Sequence, residues 1–454
     1  MKRIHQFINN GYYIVLDIQS GAVHVVDELV YRVIEMLEQD QPSEAIEQEL
    51  GDTYPVEDIR EALEECQQLI DEKLLFTTDD YELAIKIHQQ QKIVVKALCL
   101  HIAHDCNLAC EYCFAEEGEY HGHRELMSAE VGKKALDFLI ENSGSRQNLE
   151  IDFFGGEPLM NWKTVVEIVE YGRWLETIHP KKFHFTLTTN GVLLNDEIIE
   201  FANKEMGNVV MSLDGRKEVN DRMRPFRKGA GSYDLILPKF QKFADSRKQE
   251  KYYIRGTFTA NNLDFAQDVL HLAEQGFEQI SVEPVVTDET EPYAIREADI
   301  PRILEEYDSL AREIISRNKE GKAFNFFHFM LDLSGGPCVY KRLSGCGSGT
   351  EYLAVSPSGE LFPCHQFVGV DEFKMGTVFD GLKAEKIQQE FRNTNVYTKP
   401  ACRDCFARFY CGGGCAANAY KYKGSINEVY DIGCVLLRKR TECAIMIKAA
   451  LAEE

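Results

Sequence analysis

The sequence predicts an α/β protein in three parts, with a partial barrel of six strand-helix units at its centre. Three observations support this. A strand, loop and helix pattern repeats through residues 93–320; alternating stretches followed by amphipathic helices fill residues 1–90; and eight of the 14 cysteines fall between Cys338 and Cys434. We therefore place domains at 1–90, 93–320 and 335–454, in line with the two or three domains that 454 residues suggest at ~100–200 residues per domain.

Six apolar, β-branched segments are the predicted barrel strands, at residues 93–102, 149–154, 183–189, 209–214, 252–259 and 280–286. A helical pattern follows each of them. Parallel strands need crossover helices and are covered on both faces, so the segments predict a parallel sheet. Eight units would close a TIM-like barrel, and six predict a partial (β/α)6 barrel.

The first 90 residues predict a winged-helix-like domain of short strands and helices. Strands are expected at Tyr12–Asp17 and 22–26, joined by a turn at 19–21. Amphipathic patterns then begin at Glu28, Ser43 and Val56. The chain becomes polar between about 80 and 92, where we expect a linker.

The charge excludes some classes of partner. The chain has 50 basic and 74 acidic residues, a net charge of −24, and residues 1–90 alone carry 6 basic and 20 acidic residues. Nucleic-acid surfaces need clustered Lys and Arg, so a DNA-binding winged helix is disfavoured and a cationic or peptide partner is favoured. No apolar run approaches the ~20 residues of a membrane span, and no signal peptide is evident, so we expect a cytoplasmic protein.

The motif CNLACEYC predicts a metal centre in the loop after the first barrel strand. Cys106, Cys110 and Cys113 can hold three irons of a 4Fe-4S cluster and leave the fourth iron open. The alternative is a zinc site that lacks one ligand. Because active sites of barrels lie at the carboxyl ends of the strands, this position favours a catalytic cluster.

This motif resembles that of the radical S-adenosylmethionine (SAM) superfamily. The resemblance implies that Tyr112, just before the third cysteine, lies beside the SAM adenine. FFGGEP after the second strand resembles the family's segment that meets the SAM ammonium group, and it contributes Gly155, Gly156, Glu157 and Pro158. Two glycines allow close approach of the backbone to a ligand, although such a segment is also typical of a tight turn.

Two more segments resemble parts of the SAM site. TLTTNG contributes Thr189 and Asn190, and SLDG contributes Ser212 and Asp214, although such residues are also common in turns. On the fifth strand, Arg255 is the expected partner of the SAM carboxylate, the alternative being a buried arginine in a structural ion pair. The loop 223–229 carries three more cations, Arg224, Arg227 and Lys228, which face either a ligand or solvent.

The C-terminal cysteines resemble the seven-cysteine SPASM extension of peptide-modifying radical SAM enzymes. The resemblance implies two auxiliary iron-sulfur clusters, expected to be 4Fe-4S. The outer cluster would be held by Cys402, Cys405, Cys411 and Cys434, and the inner cluster by Cys346, Cys364 and Cys415. Cys338 would complete the inner cluster, or an open iron would bind a substrate thiolate. Two structural zinc sites are the alternative.

The N-terminal domain resembles the peptide-recognition module of enzymes that modify ribosomally made peptides. Such a module binds a leader peptide as an added strand, here against residues 10–26. A generic adaptor or oligomerisation domain is the alternative.

Along nearly its full length the chain resembles a sactipeptide maturase, most closely the maturases of SCIFF peptides. The resemblance implies that a 5′-deoxyadenosyl radical removes hydrogen from a peptide α-carbon, which then bonds to a cysteine sulfur. The expected partners are a Cys-rich precursor peptide and an electron donor such as flavodoxin or ferredoxin. The alternatives are a sulfatase maturase that forms formylglycine and a non-catalytic iron-sulfur redox or sensing protein.

Overall fold

The N-terminal region is a small antiparallel sheet followed by helices. The structure is a computed structural model that describes residues 2–79, 81–90, 92–120, 122–333 and 343–452. Three strands pair in the order β1 (Ile4–Asn9), β2 (Tyr12–Asp17) and β3 (Val23–Val26). The helices that follow begin where the sequence predicts, and they are α1 (Glu28–Glu38), α2 (Ser43–Leu50) and α3 (Val56–Asp71).

A helix occupies the segment where we expected a linker. It is α4 (Glu82–Gln90), preceded by Tyr81, whose ring lies edge-on to that of Phe409 at 5.6 Å between centroids. Ile85 in α4 is 6% exposed. Two apolar contacts with distant parts of the chain therefore order a segment whose composition is mostly polar.

The middle of the chain alternates strands with helices, as predicted. The elements in chain order are β4 (Ala97–His104), β5 (Glu125–Leu126), α5 (Ala129–Asn142), β6 (Asn148–Gly155), α6 (Trp162–Ile178), β7 (Lys182–Thr189), α7 (Asp196–Glu205), β8 (Met206–Ser212), α8 (Lys217–Met223), α9 (Tyr233–Ser246), β9 (Tyr252–Phe258), α10 (Phe265–Glu274), β10 (Gln279–Pro284), α11 (Ile300–Lys319) and β11 (Asn325–Phe326). The six predicted strands pair in parallel in the order β4-β6-β7-β8-β9-β10. The expectation of a mixed α/β fold with a large parallel sheet is confirmed.

The sheet extends beyond the six predicted strands at both ends. The short β11 pairs in parallel with β10, and β12 (Tyr352–Val355) pairs in parallel with β4. Beyond β12 the order continues with β13 (Glu360–Phe362), β14 (Gly376–Thr377) and β15 (Gly381–Leu382), all antiparallel. Since β12 belongs to the cysteine-rich region, that region is joined to the central sheet by backbone hydrogen bonds.

Helices complete the C-terminal region. They are α12 (Glu385–Asn393), α13 (Pro400–Arg403), α14 (Arg408–Cys411), α15 (Ala416–Lys423) and α16 (Asp431–Ala452). The last of these packs against α11 and β1. No helix among the described residues is both long enough and apolar enough to cross a membrane.

Side chains alternate between the two faces of the large sheet, as strand geometry requires. In β9, Tyr252, Ile254 and Phe258 are buried in the core that the helices cover. Tyr253 and Arg255 lie on the opposite face and are more exposed. The carboxyl ends of the parallel strands meet at one edge of the sheet, where the predicted site residues also lie.

The N-terminal region is packed onto the cysteine-rich region. The His5 ring is stacked on Phe406, with 3.5 Å between centroids and 6° between planes, and its Nε2 lies 2.9 Å from a Glu442 oxygen. Asp79 accepts a 2.9 Å hydrogen bond from Tyr397 and lies 3.8 Å from the fully buried Arg408 guanidinium. These contacts fix the small sheet beside the Cys402–Cys411 segment.

Removal of the Asp17 carboxylate is expected to destabilise the N-terminal region. Asp17 is fully buried and accepts hydrogen bonds from the backbone and hydroxyl of both Ser20 and Thr77. In Asp17→Ala, four partly buried donor groups lose their acceptor, and we expect a loss of about 2 kcal/mol of stability. Faster amide hydrogen exchange in residues 4–26 would measure this loss of stability. The exposed Asp52→Ala should change exchange little, and equal effects of the two variants would contradict the prediction.

Candidate active site

The Cys106–Cys113 loop leaves the carboxyl end of β4 and is held by a second segment of the chain. Ala109 N donates to Pro225 O and Glu111 N to Met223 O, both at 2.9 Å. Leu108 also forms an antiparallel bridge with Phe226. The loop that carries the three cysteines is therefore paired, backbone to backbone, with residues 223–226.

Tyr112 is fixed between an acid and a base. Its hydroxyl donates to Asp214, with both carboxylate oxygens at 2.8 Å, and Arg224 Nη1 donates to the same hydroxyl at 2.9 Å. Asp214 also accepts from Thr257 N at 3.0 Å, and burial raises its pKa to about 6, although Arg224 opposes the rise. The ring of the residue predicted to lie beside adenine is thus held at its polar end.

The three cations of the 223–229 loop have different surroundings. Arg224 is 7% exposed and is an electrostatic neighbour of Cys110 and Tyr112, so it does not belong to a solvated face. Its Nε is buried and finds no acceptor within the described ranges. Arg227 donates to Asp105 at 2.9 Å, and Lys228 is exposed.

The charges around the cysteines fit an anionic metal-thiolate group. Burial, together with Glu157, raises the pKa of Cys106 to about 12, and burial raises that of Cys110 to about 11 despite Arg224. Metal binding deprotonates thiols, and the resulting negative charge would compensate the buried guanidinium. Within the described ranges no three Cys, His, Asp or Glu side chains are grouped as a ligand set for a single metal ion. The fit of an iron-sulfur cluster to this loop therefore depends on these charges and on the unpaired Nε of Arg224.

The glycines of the GGEP segment make room for the backbone of the neighbouring strand end. A Cβ on Gly155, whose φ is +121°, would lie 2.5 Å from Ala103 O. A Cβ on Gly156 would lie 2.2 Å from Asp105 O. Both glycines therefore let the end of β6 approach the end of β4, directly before Cys106.

Glu157 joins the ends of two strands. It is fully buried, and it accepts from Leu159 N at 3.0 Å, Thr189 Oγ1 at 2.8 Å and Asn190 N at 2.7 Å. Burial raises its pKa and these donors oppose the rise. Pro158 opens the short helix that Glu157 caps. Glu157 thus brings together the ends of β6 and β7, both of which carry predicted site residues.

Asn190 connects this network to the cysteine loop. Its Nδ2 donates to Asn107 Oδ1 at 2.7 Å and lies 3.5 Å from Cys106 Sγ. Ser212 ends β8 and pairs in register with Arg255 on β9. The TLTTNG and SLDG segments therefore both lie at the edge of the sheet that bears the cysteines.

Arg255 is neither buried nor engaged in a structural ion pair. It is exposed, and no hydrogen bond or salt bridge joins it to any residue that the structure describes. Burial raises the pKa of nearby Glu283, but His328, Arg440 and Arg255 lower it, so that it lies at about 2. Arg255 is therefore a cation on the face of the sheet opposite the helices, available to an anionic ligand.

The C-terminal cysteines gather in two groups. Cys402 has Cys411, Cys434 and Cys405 as electrostatic neighbours, and burial raises its pKa to about 12. Cys364 has Cys415 and Cys346 as neighbours, and burial again raises its pKa. The structure thus brings together the same thiols that the resemblance grouped. Cys338 lies outside the described residues.

Sequence reasoning missed Lys399. Its side chain is 2% exposed and donates from Nζ to Gly413 O at 2.9 Å and Glu428 O at 3.0 Å. Its electrostatic neighbours are thiols, with Cys402 and Cys411 the strongest. A lysine three residues before a cysteine carries no recognisable signal, because only tertiary contacts bury it.

A buried histidine pair was also missed. His101 and His104 lie on β4 with Nδ1 of the first 3.1 Å from Nε2 of the second, and burial lowers the pKa of both. Tyr120 stacks on His104 at 4.6 Å. A histidine in an apolar strand is usually a core residue, so the sequence offered no reason to select the pair.

Comparisons with known proteins relate the chain to iron-sulfur and radical SAM proteins. Residues 96–237 match the family described as a 4Fe-4S single cluster domain. Radical SAM cyclopropyl synthase TigE of Paramaledivibacter caminithermalis is 22% identical over 92% of this chain and 89% of its own. A cysteine-type anaerobic sulfatase-maturating enzyme of Clostridium novyi is 23% identical over 69% of this chain and 86% of its own.

Two solved structures share the fold. The protein anSMEcpe with bound AdoMet and the Cp18Cys peptide has a TM-score of 0.65 and 19% identity, covering 79% of this chain and 99% of its own. SuiB of Streptococcus suis bound to precursor peptide SuiA has a TM-score of 0.52 and 17% identity, covering 95% of this chain and 98% of its own. At these identities the likeness shows a common fold.

Gly156→Ala is expected to displace the start of the cysteine loop. The added methyl group would lie 2.2 Å from a backbone oxygen, which cannot move without the loop. We expect a cost of about 1–3 kcal/mol and less iron bound per chain, measured by urea unfolding and iron analysis. Gly207→Ala is the matched control because its nearest atom would be 3.7 Å away. An unchanged Gly156→Ala protein would contradict the role given to this contact.

Proposed function

We propose that the chain is a radical SAM/SPASM-type maturase that installs a thioether crosslink between a cysteine sulfur and an α-carbon of a ribosomally made, Cys-rich peptide. One observation carries the proposal. The cysteine loop at the sheet edge, the two C-terminal thiol groups and a small sheet with a free edge occur in one packed chain.

In this proposal Cys106, Cys110 and Cys113 hold a 4Fe-4S cluster that also binds SAM. When bound, the cluster and SAM supply a 5′-deoxyadenosyl radical that removes a hydrogen atom from the peptide. Arg224 compensates the negative charge that the thiolates acquire, and it holds Tyr112 through its hydroxyl. The bound AdoMet of anSMEcpe supports SAM as the ligand.

Glu157 and Arg255 are proposed to orient the two ends of the SAM amino acid. A carboxylate has about four lone-pair sites, and three of those on Glu157 accept hydrogen bonds within the chain. The remaining site is proposed for the SAM ammonium group. Arg255, which makes no hydrogen bond or salt bridge with the described residues, is proposed for the SAM carboxylate.

The C-terminal thiol groups are proposed to hold two auxiliary clusters. The outer group would be Cys402, Cys405, Cys411 and Cys434, and the inner group Cys346, Cys364 and Cys415. The remaining position of the inner cluster is left to Cys338 or to a substrate sulfur. Buried thiols with raised pKa values are stable as neutral groups until metal binding deprotonates them.

The N-terminal sheet is proposed to bind the leader of the precursor. Its β1 side is packed against the end of the chain through His5–Glu442 and against α11 through a 2.9 Å hydrogen bond from Asn9 to Asp308. Its β3 side pairs only with β2 in the described structure, and Val25 is 44% exposed. An added strand gains backbone hydrogen bonds there. The SuiA peptide bound to SuiB supports a precursor as the partner.

Formylglycine formation is the second candidate, because a sulfatase-maturating enzyme is among the relatives. The alignment with that enzyme covers 69% of this chain, whereas that with TigE covers 92%. The N-terminal sheet favours a precursor peptide, and the likeness to SuiB bound to precursor peptide SuiA, which covers 95% of this chain, supports it. A flavodoxin or ferredoxin is the proposed electron donor.

Mass spectrometry of a co-expressed Cys-rich precursor tests the reaction. We expect a product lighter by two hydrogens with one thiol blocked to alkylation, because one hydrogen leaves as an atom and one as a proton and an electron. Cys106→Ala should abolish this product, whereas Cys66→Ala, in the buried face of α3, should retain it. An aldehyde product would instead support formylglycine formation, and no 5′-deoxyadenosine from reduced, loaded enzyme would overturn both.

Amide hydrogen exchange tests the leader site. We expect exchange in residues 23–26 to slow when a synthetic leader peptide is added, since an added strand accepts their free N–H groups. Residues 4–9 should not change, and a scrambled leader is the control. Slower exchange confined to β1, or no change in exchange at a saturating concentration of leader, would contradict the proposal that the leader binds at the β3 edge.

A further inference from the structure

Lys399 occupies a position between the two C-terminal thiol groups. It directly precedes α13, which carries Cys402, and its Nζ is bound to Gly413 O and Glu428 O. With Cys346 and residues 412–414 it lines a small cavity. Gly413 lies just before Cys415, and Glu428 lies just before α16, the helix that carries Cys434. The Lys399 ammonium group therefore contacts the segments that lead to both cysteines.

The surroundings of this ammonium group lack a carboxylate. Its two acceptors are neutral carbonyls, and no salt bridge of Lys399 occurs in the described part of the chain. An uncompensated buried ammonium costs several kcal/mol, about as much as any buried ion. Its charged neighbours are the thiols Cys402, Cys411, Cys434 and Cys415, in that order of strength. Among the described residues, the missing negative charge is therefore available from these sulfurs once they are ligands.

We propose that Lys399 is the fixed counter-charge of the outer auxiliary cluster, raising its reduction potential and tying together the loops that hold it. This inference rests on the proposed auxiliary clusters. A nearby positive charge stabilises the more negative, reduced state, and net charge and hydrogen bonding are the means by which a protein sets such potentials. Three of the four thiol neighbours belong to the outer group, so its potential should respond more than that of the inner group.

Lys399 is a positioning residue in this proposal, because it touches no substrate. A purely structural role would need its two hydrogen bonds and its volume, whereas the proposed role needs its charge. Lys399→Met keeps most of the volume and removes the charge. Lys399→Arg keeps the charge and can still donate to both carbonyls. Because Lys399→Met also removes the two hydrogen bonds, a shift in potential at the parent's iron content is the result that only the charge explains.

The experiment is an EPR-monitored redox titration of the full chain. Cys106, Cys110 and Cys113 are first replaced by alanine in all samples, so that only auxiliary clusters contribute. We expect Lys399→Met to shift one cluster to lower potential, or to lose the iron of that cluster alone, while Lys399→Arg stays close to the parent. The exposed Lys421→Met, in the same region, should leave potentials and iron content unchanged.

The outcomes are distinguishable. A Lys399→Met protein with both potentials and the iron content of the parent overturns the proposal. Loss of the same cluster from Lys399→Arg as well shows that packing decides, and it also overturns the proposal. Absence of auxiliary signals and iron from the parent itself would overturn the proposed clusters, whatever the variants show.

Discussion

The candidate active site depends on a single buried carboxylate. Glu157 has no exposed surface, and three donors from the ends of β6 and β7 converge on it. Burying a carboxylate without such donors is costly, so the two strand ends are fixed relative to each other. Asn190 extends this constraint to Cys106, and residues 223–226 hold the other side of the loop. The cysteine loop is therefore positioned by hydrogen bonds within the chain, as preorganised sites require.

The sequence predicted the fold best for those strands and helices whose burial follows from a local pattern of apolar residues. Parallel strands are covered on both faces, so they appear as apolar runs, and all six predicted strands form. Helix starts at Glu28, Ser43 and Val56 follow from amphipathic periodicity. The helix α4 could not be predicted in the same way, because its stability depends on contacts such as Tyr81 with Phe409, more than 300 residues away. The short β11 and β12 are likewise fixed by the strands they join.

In the candidate site, residues close together in the sequence could be predicted to lie together, whereas contacts between distant segments could not be predicted. Cys106, Cys110 and Cys113 must share a loop because of their spacing, but the grouping of Cys434 with Cys402 came only from resemblance. The approach of the GGEP glycines to a ligand stays a prediction, but their contact with Ala103 and Asp105 was not predicted. Whether a glycine faces a ligand or a neighbouring strand depends on packing that no local pattern records.

The two cysteine regions share an electrostatic arrangement. Each has a buried cation that is not itself a ligand, Arg224 beside Cys110 and Lys399 beside Cys402. In both, burial raises the pKa of the thiols. Metal binding would remove protons from the sulfurs and add negative charge beside the cation. Arg224 already has the buried Asp214 as an electrostatic neighbour, whereas the charged neighbours of Lys399 are thiols. The charge that ligand sulfurs acquire would therefore couple cluster binding most strongly to the ordering of the loops around Lys399.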